Sequence, residues 1–406
     1  MSFSKPSAAT LNGRDTCHDF IQRENGNWAT GRISMDKLCE QQVPTPEIMV
    51  VFLPEVSELG RLRVFDKLSN RFKIPATFWS TAVQEASGHF SCQDIWNADG
   101  DLHSFCSQLR LLIKQPAEII PYASRGYNIK ANYIWHHLGV SIHWTPFKNV
   151  VVLCFGLPPS LRNSLSNLAE LRVDDPFSFY TIFVGDVLAL YDKALWSWRD
   201  RVRDLEQNRT SPDNPRPNYI MMHEIARHAI HSSETLAMAI ETINSLIQEH
   251  EIFFEERASF PTEAIRKSKQ TSRAFRSQLT LFKCFHLRSK TLEERLRNET
   301  NLAFNTVAQR DSRVAIQIGK IAQVDSGAMK AISLLGLVFL PGTFICALFS
   351  TSFFNFSPAS ETKPQHWTVS EKFWIYWVVA IPVTIVTVAC WVSWQRGLKR
   401  WLADYR

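Results

Sequence analysis

Residues 331–356, AISLLGLVFLPGTFICALFSTSFFNF, contain no charged side chain, and Pro341-Gly342 is the strongest helix-breaking pair in the run. As a helix, the 23 residues 331–353 would extend roughly 35 Å at about 1.5 Å per residue. That is more than the thickness of a bilayer's hydrocarbon core, so a transmembrane helix is the default reading. The competing reading, a buried helix of a soluble domain, is disfavoured by a second apolar run that follows closely.

The second run covers residues 373–394. Trp374, Tyr376, Trp377, Trp391 and Trp394 gather near its two ends, as aromatic belts do at the two bilayer surfaces. Pro382 sits in its middle and is expected to bend it. The connection, residues 354–372, carries Glu361, Lys363, Glu371 and Lys372 and is neutral. The tail, residues 395–406, sets Arg396, Lys399, Arg400 and Arg406 against the single acid Asp404. An excess of Lys and Arg marks the cytosolic or matrix side. A two-helix hairpin then puts the N-terminal part on that same side, consistent with the lack of an apolar signal-type run at the start. The expectation is a multi-pass membrane protein with both termini cytosolic or matrix-side, in the plasma membrane in preference to the mitochondrial inner membrane. Residues 1–14 are Ser-rich and lack acids, and are expected to be irregular.

With 406 residues the chain has room for two or three domains. Residues 48–53 (IMVVFL) read as a buried strand stopped by Pro54, residues 61–65 as another, and residues 132–144 and 149–155 as a pair able to form a hairpin. Residues 1–175 are therefore expected to form a cytosolic α/β or α+β domain. Residues 176–330 read as a helical region: 177–206 and 219–254 have helical apolar spacing, and the loop 208–218 between them holds three prolines. Residues 262–329 contain no proline and only Gly319 and Gly327. One long stalk helix, of the coiled-coil kind but without a strict heptad, would run into the first span. The expected fold class is thus an α+β cytosolic domain, a long helical stalk and two C-terminal transmembrane helices. The segments are 1–175, 176–330, 331–353, 354–372, 373–394 and 395–406.

The chemistry-bearing patterns exclude more than they include. His223 and His228 flank Glu224 but stand five apart, whereas HExxH needs histidines four apart to share one metal. His228 and His231 can share a helix face, yet no third ligand accompanies them. The eight cysteines show no zinc spacing and no CxxC pair, as expected of reduced thiols. The sequons at Asn208 and Asn298 fall on the cytosolic side in this topology, and the one at Asn355 lies too near the membrane to be a good acceptor. There is no P-loop, GxGxxG or nucleophile elbow, so no enzyme is expected and no bound cofactor. A net charge of +6 is modest for this length and gives no ground for a nucleic-acid partner. Residues 264–290 carry eight Lys/Arg and no acid, which reads either as a solvated helix face or as a basic collar. On the first span, Met329, Ile332, Gly336, Leu340, Thr343, Ala347 and Ser350 recur at three- and four-residue steps and share one face. That face is small or apolar, with hydroxyls toward the far end, which suits either close helix packing or a wet pore.

The pattern resembles the CorA-type divalent-cation channels and transporters. The features that carry it are the uninterrupted long helix, Phe339-Leu340-Pro341-Gly342-Thr343-Phe344 in the first of two C-terminal spans, the short outer connection and the basic Lys399-Arg400-Trp401-Leu402. Gln309-Arg310-Asp311-Ser312 and Asp325-Ser326-Gly327-Ala328-Met329-Lys330 resemble a divergent eukaryotic branch. The resemblance covers about the last hundred residues. It implies a homopentamer in membrane lipid, with the first span lining the pore, Thr343 facing it, and Leu340, Ile332 and Met329 as apolar gate positions. It implies passive movement of a divalent cation, Mg²⁺ by family habit, either as the ion carried or as a regulator held by carboxylates. Candidates for that regulatory role are Asp174, Asp175 and Asp311, although Asp174-Asp175 also reads as a turn before Pro176. The family's outer Gly-Met-Asn is absent: Ser350, Thr351 and Ser352 stand in its place. A non-conducting membrane-anchored sensor or scaffold of the same architecture is the alternative expectation.

Overall fold

The structure, a computed structural model, describes residues 17–40, 45–61, 64–116, 133–165, 168, 171–209, 211, 215–257, 260–357 and 364–404, with the backbone alone at 61, 349–354, 356 and 397–404. Contacts divide the chain into two compact units, Met1–Val307 and Ala308–Arg406.

The first unit is built on a seven-stranded sheet of order β2-β1-β3-β7-β6-β5-β4. A hairpin opens it: β1 (Cys17–Glu24) and β2 (Asn27–Ser34) are joined by Asn25-Gly26. Both turn residues have positive φ, 51° and 79°, as a two-residue type I′ turn requires. Next come α1 (Met35–Cys39), β3 (Ile48–Leu53), α2 (Val56–Arg61), α3 (Phe65–Phe72), a 3₁₀ turn (Ala76–Trp79), α4 (Thr81–Glu85), β4 (Gly88–Trp96), β5 (Leu102–Pro116), β6 (Tyr133–Thr145) and β7 (Asn149–Phe155). Of the strand expected at 61–65, the described residues show helix ends instead: Arg61 closes α2 and Phe65 opens α3, while 62 and 63 lie outside the described residues. Val64 joins Leu59 of α2 and Leu68 of α3 in one core cluster.

β3 and β7 pair in parallel, and every other pairing in this sheet is antiparallel. Both strands are buried on two faces, which explains their unbroken apolar runs. Ile48, Val50 and Phe52, with Val150, Val152 and Cys154, point into one core. Met49, Val51 and Leu53, with Val151, Leu153 and Phe155, point into the other. Full burial of such a side chain contributes roughly 1.5–3 kcal/mol. The second core is covered by α1 to α4. The first is covered by α5 (Pro159–Ser164), α6 (Ser178–Gln207), α7 (Tyr219–Glu255) and Phe275 and Phe282 of α8 (Thr262–Phe353). The result is three layers, with one long-helix face and one short-helix face.

Asp175 ties the start of α6 to α8. Its side chain is fully buried, accepts from Thr271 of α8 (2.7 Å) and from the Phe177 amide (2.9 Å), and pairs with Arg172 (2.7 Å). The expected turn before Pro176 is therefore an Asp-stabilised turn that also anchors α8.

The second unit holds the C-terminal part of α8, a two-stranded antiparallel ladder of β8 (Phe354–Ser357) and β9 (His366–Val369), a 3₁₀ turn (Glu371–Phe373) and α9 (Trp374–Asp404). The residues expected to be a plain outer loop thus contain paired strands. The residues expected to be a basic tail continue α9 to Asp404. The fold class is as expected: an N-terminal α/β sheet unit, a long helix and a C-terminal apolar helix.

Candidate functional site

The site is assembled from α8 beyond Lys330 and from α9. Each has an apolar window long enough to cross a membrane, and almost none of either window is buried. Core helices of soluble domains bury such surface, so this exposure needs an apolar surrounding.

Pro341 lies inside α8 without ending it, although a proline leaves the carbonyl four residues earlier, at Leu337, without its helical donor. The side of α8 around Pro341 and Gly342 faces α9. There the Tyr376 hydroxyl donates to the Gly342 carbonyl (3.2 Å), and a Cβ on Gly342 would stand 3.5 Å from that hydroxyl. Ile345, one turn on, is buried, and so is Ala380, one turn beyond Tyr376. Tyr376 also stacks on Phe373 (ring centroids 5.9 Å apart) at the start of α9.

The sequence-predicted face lies away from that contact. At 100° per residue Met329, Ile332, Gly336, Leu340, Thr343 and Ala347 fall opposite Pro341, Gly342 and Ile345. Met329, Ile332, Leu340, Thr343 and Ala347 are exposed, and Gly336 is half-buried, where an added Cβ would stand 3.7 Å from the Leu340 side chain. Exposure does not single this face out, because Leu335, Phe339, Phe344 and Leu348 are exposed as well. Thr343 is distinguished by its hydrogen bond: the hydroxyl donates to the Leu340 carbonyl (3.0 Å). With its one hydrogen committed to the backbone, the oxygen presents only lone pairs outward. Ser350, Thr351 and Ser352 occupy the last turn of α8, but their side chains lie outside the described residues. Arg396 is exposed on α9, and the side chains of Lys399 and Arg400 also lie outside the described set.

In the first unit, the described residues contain no group of three His, Cys, Asp or Glu able to hold a metal. Asp174 and Asp175 are engaged by Arg172, and Asp311 is exposed on α8. His228 and His231 do not converge on a metal position. His228 stacks on Trp198, ring centroids 4.8 Å apart, while His231 Nδ1 lies 2.8 Å from Lys114 Nζ. Lys114 is buried on β5 against the rings of Tyr133 (4.2 Å) and Trp135 (4.7 Å). Burial, with Arg227 adding to it, brings its pKa down to about 8. Of the basic run 264–290, Arg266 and Lys267 pair with Glu263 and Arg276 with Glu251. Lys269, Arg273, Lys283 and Lys290 are exposed, so the run forms a solvent-facing side of α8.

No family model matches the chain. It is similar to the Notoamide biosynthesis cluster protein M′ of Aspergillus versicolor, 29% identical over 322 residues, covering 73% of this chain and 68% of that protein. Among solved structures, the full-length CmaX protein aligns with a TM-score of 0.47 at 10% identity, over 93% of this chain and 96% of that one. The cytoplasmic domain of ZntB from Vibrio parahaemolyticus aligns with a TM-score of 0.32 at 9% identity, over 74% and 98%.

Proposed function

We propose that this chain is an integral membrane protein that passes a divalent metal cation, Mg²⁺ foremost, down its electrochemical gradient through a homopentameric pore lined by α8. The observation that carries the reading is Thr343, set within Phe339-Leu340-Pro341-Gly342-Thr343-Phe344 on the side of α8 turned away from α9. Its hydroxyl hydrogen is held by the Leu340 carbonyl, so five copies would offer a ring of oxygen acceptors. Mg²⁺ sheds water reluctantly, and a hydrated ion binds through acceptors for its water hydrogens. Leu340, Ile332 and Met329 would stand on one side of that ring as an apolar constriction, Ala347 and Ser350 on the other, with Gly336 allowing close approach. Both termini and the sheet unit belong on the cytosolic side of a plasma membrane, with Arg396, Lys399 and Arg400 at the inner surface. No chemical catalysis and no resident cofactor enter this reading.

The test is cation flux into liposomes holding the purified protein. Thr343→Leu should abolish Mg²⁺-dependent flux, and Thr343→Ser should keep most of it. Equal flux in wild type and Thr343→Leu would assign this face to packing instead.

A second reading is favoured by one observation. Ser350-Thr351-Ser352 stands where the resembled family has Gly-Met-Asn. A membrane-anchored sensor or scaffold that does not conduct would have no need of that motif. Intact pentamers without flux would support it.

A further inference from the structure

β3 and β7 run in parallel, and the chain leaves their C-terminal ends toward opposite faces of the sheet. After Leu53 it enters α2 and α3, which belong to the core on the short-helix face. After Phe155 it enters α5 and α6, which belong to the core on the long-helix face. Such a divergence opens a crevice beyond the strand ends, and open α/β sheets bind ligands there.

Beside the end of β3, on the short-helix face, lies a cleft of about 340 Å³ lined by residues of the β3–α2 turn, α2, α3, the 3₁₀ turn, α4, β5 and β6. That lies in the volume range of small-molecule sites, roughly 300–1,000 Å³. Gly156, just past β7, has a φ of 67°. A Cβ there would collide with the His137 carbonyl and stand 2.9 Å from Cγ of Glu55. Glycine at this position lets Glu55 fold over the strand end into the cleft.

The lining chemistry is two-signed. Glu55 accepts from the Ser57 hydroxyl (3.2 Å), and no cation among the described residues stands within ion-pair distance of it. Arg110 is 2% exposed. Its guanidinium donates to the Gln84 backbone carbonyl (2.9 Å) and to the Gln84 side-chain oxygen, and its Nε has no partner among the described residues. A buried donor left unpaired is costly, and more so on a charged group, so a native acceptor is expected. Trp79 and Phe65 form a stacked wall, with centroids 4.3 Å apart and planes at 15°. A metal ion fits poorly, since no three ligating side chains converge among the described residues and the guanidinium would repel a cation.

We propose that this cleft binds a free zwitterionic amino acid with an apolar side chain. Its ammonium would meet Glu55, its carboxylate would meet Arg110, and its side chain would lie on the Phe65–Trp79 wall. The site stands on the sheet unit alone and does not depend on the cation-conducting reading.

The experiment is calorimetric titration of the full-length protein, in detergent micelles, with each proteinogenic amino acid. The best binder is then compared with its decarboxylated amine and its deaminated acid. Two variants at or near the rim spare the buried Arg110: Glu55→Gln, and Thr81→Trp, which fills the mouth from an exposed position. Their melting curves serve as the check on folding. Expected is saturable binding of at least one apolar amino acid, at least tenfold weaker for both analogues and for both variants. Absence of binding across the set, equal binding of either analogue, or undiminished binding to folded Thr81→Trp would overturn the proposal.

Discussion

His228 lies flat on Trp198 in the first unit, fully buried, and no hydrogen bond reaches either ring nitrogen. Burial brings its pKa from 6.5 down to about 4, with Lys114 and Arg227 adding to the shift and Glu224 opposing it. The unfolded chain therefore takes up a proton between pH 6.5 and pH 4 that the folded chain refuses. Stability from this group is present above pH 6.5 and is lost as pH falls through that window. The melting temperature of His228→Phe, followed from pH 7 to pH 4, should fall less steeply than that of the wild type. A parallel fall in both would show that His228 does not contribute to acid sensitivity. The spacing of His223, His228 and His231 argues against a shared metal. It gives no sign of what the histidines touch instead, because Lys114 lies 117 residues away from His231 in the chain. Partners brought together only by the sheet leave no local pattern.

Among the elements, β3, β6, β7, α6 and α7 were readable because each has a long apolar period or run. β2 is an edge strand, β1 is its inner neighbour, and both are half-polar. Their pairing is announced only by Asn25-Gly26, a hairpin signal that the reading of residues 1–175 as a whole passes over. β5 is a 15-residue strand buried through most of its length, yet it holds Gln108, Arg110 and Lys114. Those polar residues hide its character, and the cleft residue Arg110 with it. The outer ladder of β8 and β9 is too short, at 4 residues each, to show a period. Two element-level predictions follow from the side chains that join helices to their surroundings. Asp175→Ala strips the buried acceptor from Arg172 and Thr271 and should cost about 3 kcal/mol in urea unfolding of the sheet unit. A cost below about 1 kcal/mol would mean that the Asp175 contacts do little to hold α8. Tyr376→Phe removes the donor to the Gly342 carbonyl. Interhelical hydrogen bonds in membranes are worth about 0.6–2 kcal/mol, and a destabilisation of that size is expected when the variant is unfolded in mixed micelles.

At the scale of the whole molecule, the chain joins a conventionally packed sheet unit to two apolar helices that bury almost nothing of themselves. The sequence makes this division plain, since one uncharged run of residues 331–356 separates the two regimes. What it leaves open is how copies of α8 meet, because the face of α8 turned away from α9 is exposed in a single chain. A pore and a packed bundle need the same small, apolar face, and they differ only in whether ions pass. The direct measurement is therefore Mg²⁺ entry into dye-loaded liposomes containing the purified wild-type protein. The account predicts entry that follows the imposed gradient, saturates with Mg²⁺ and disappears in Thr343→Leu. Intact pentamers that admit no more Mg²⁺ than protein-free liposomes would contradict it.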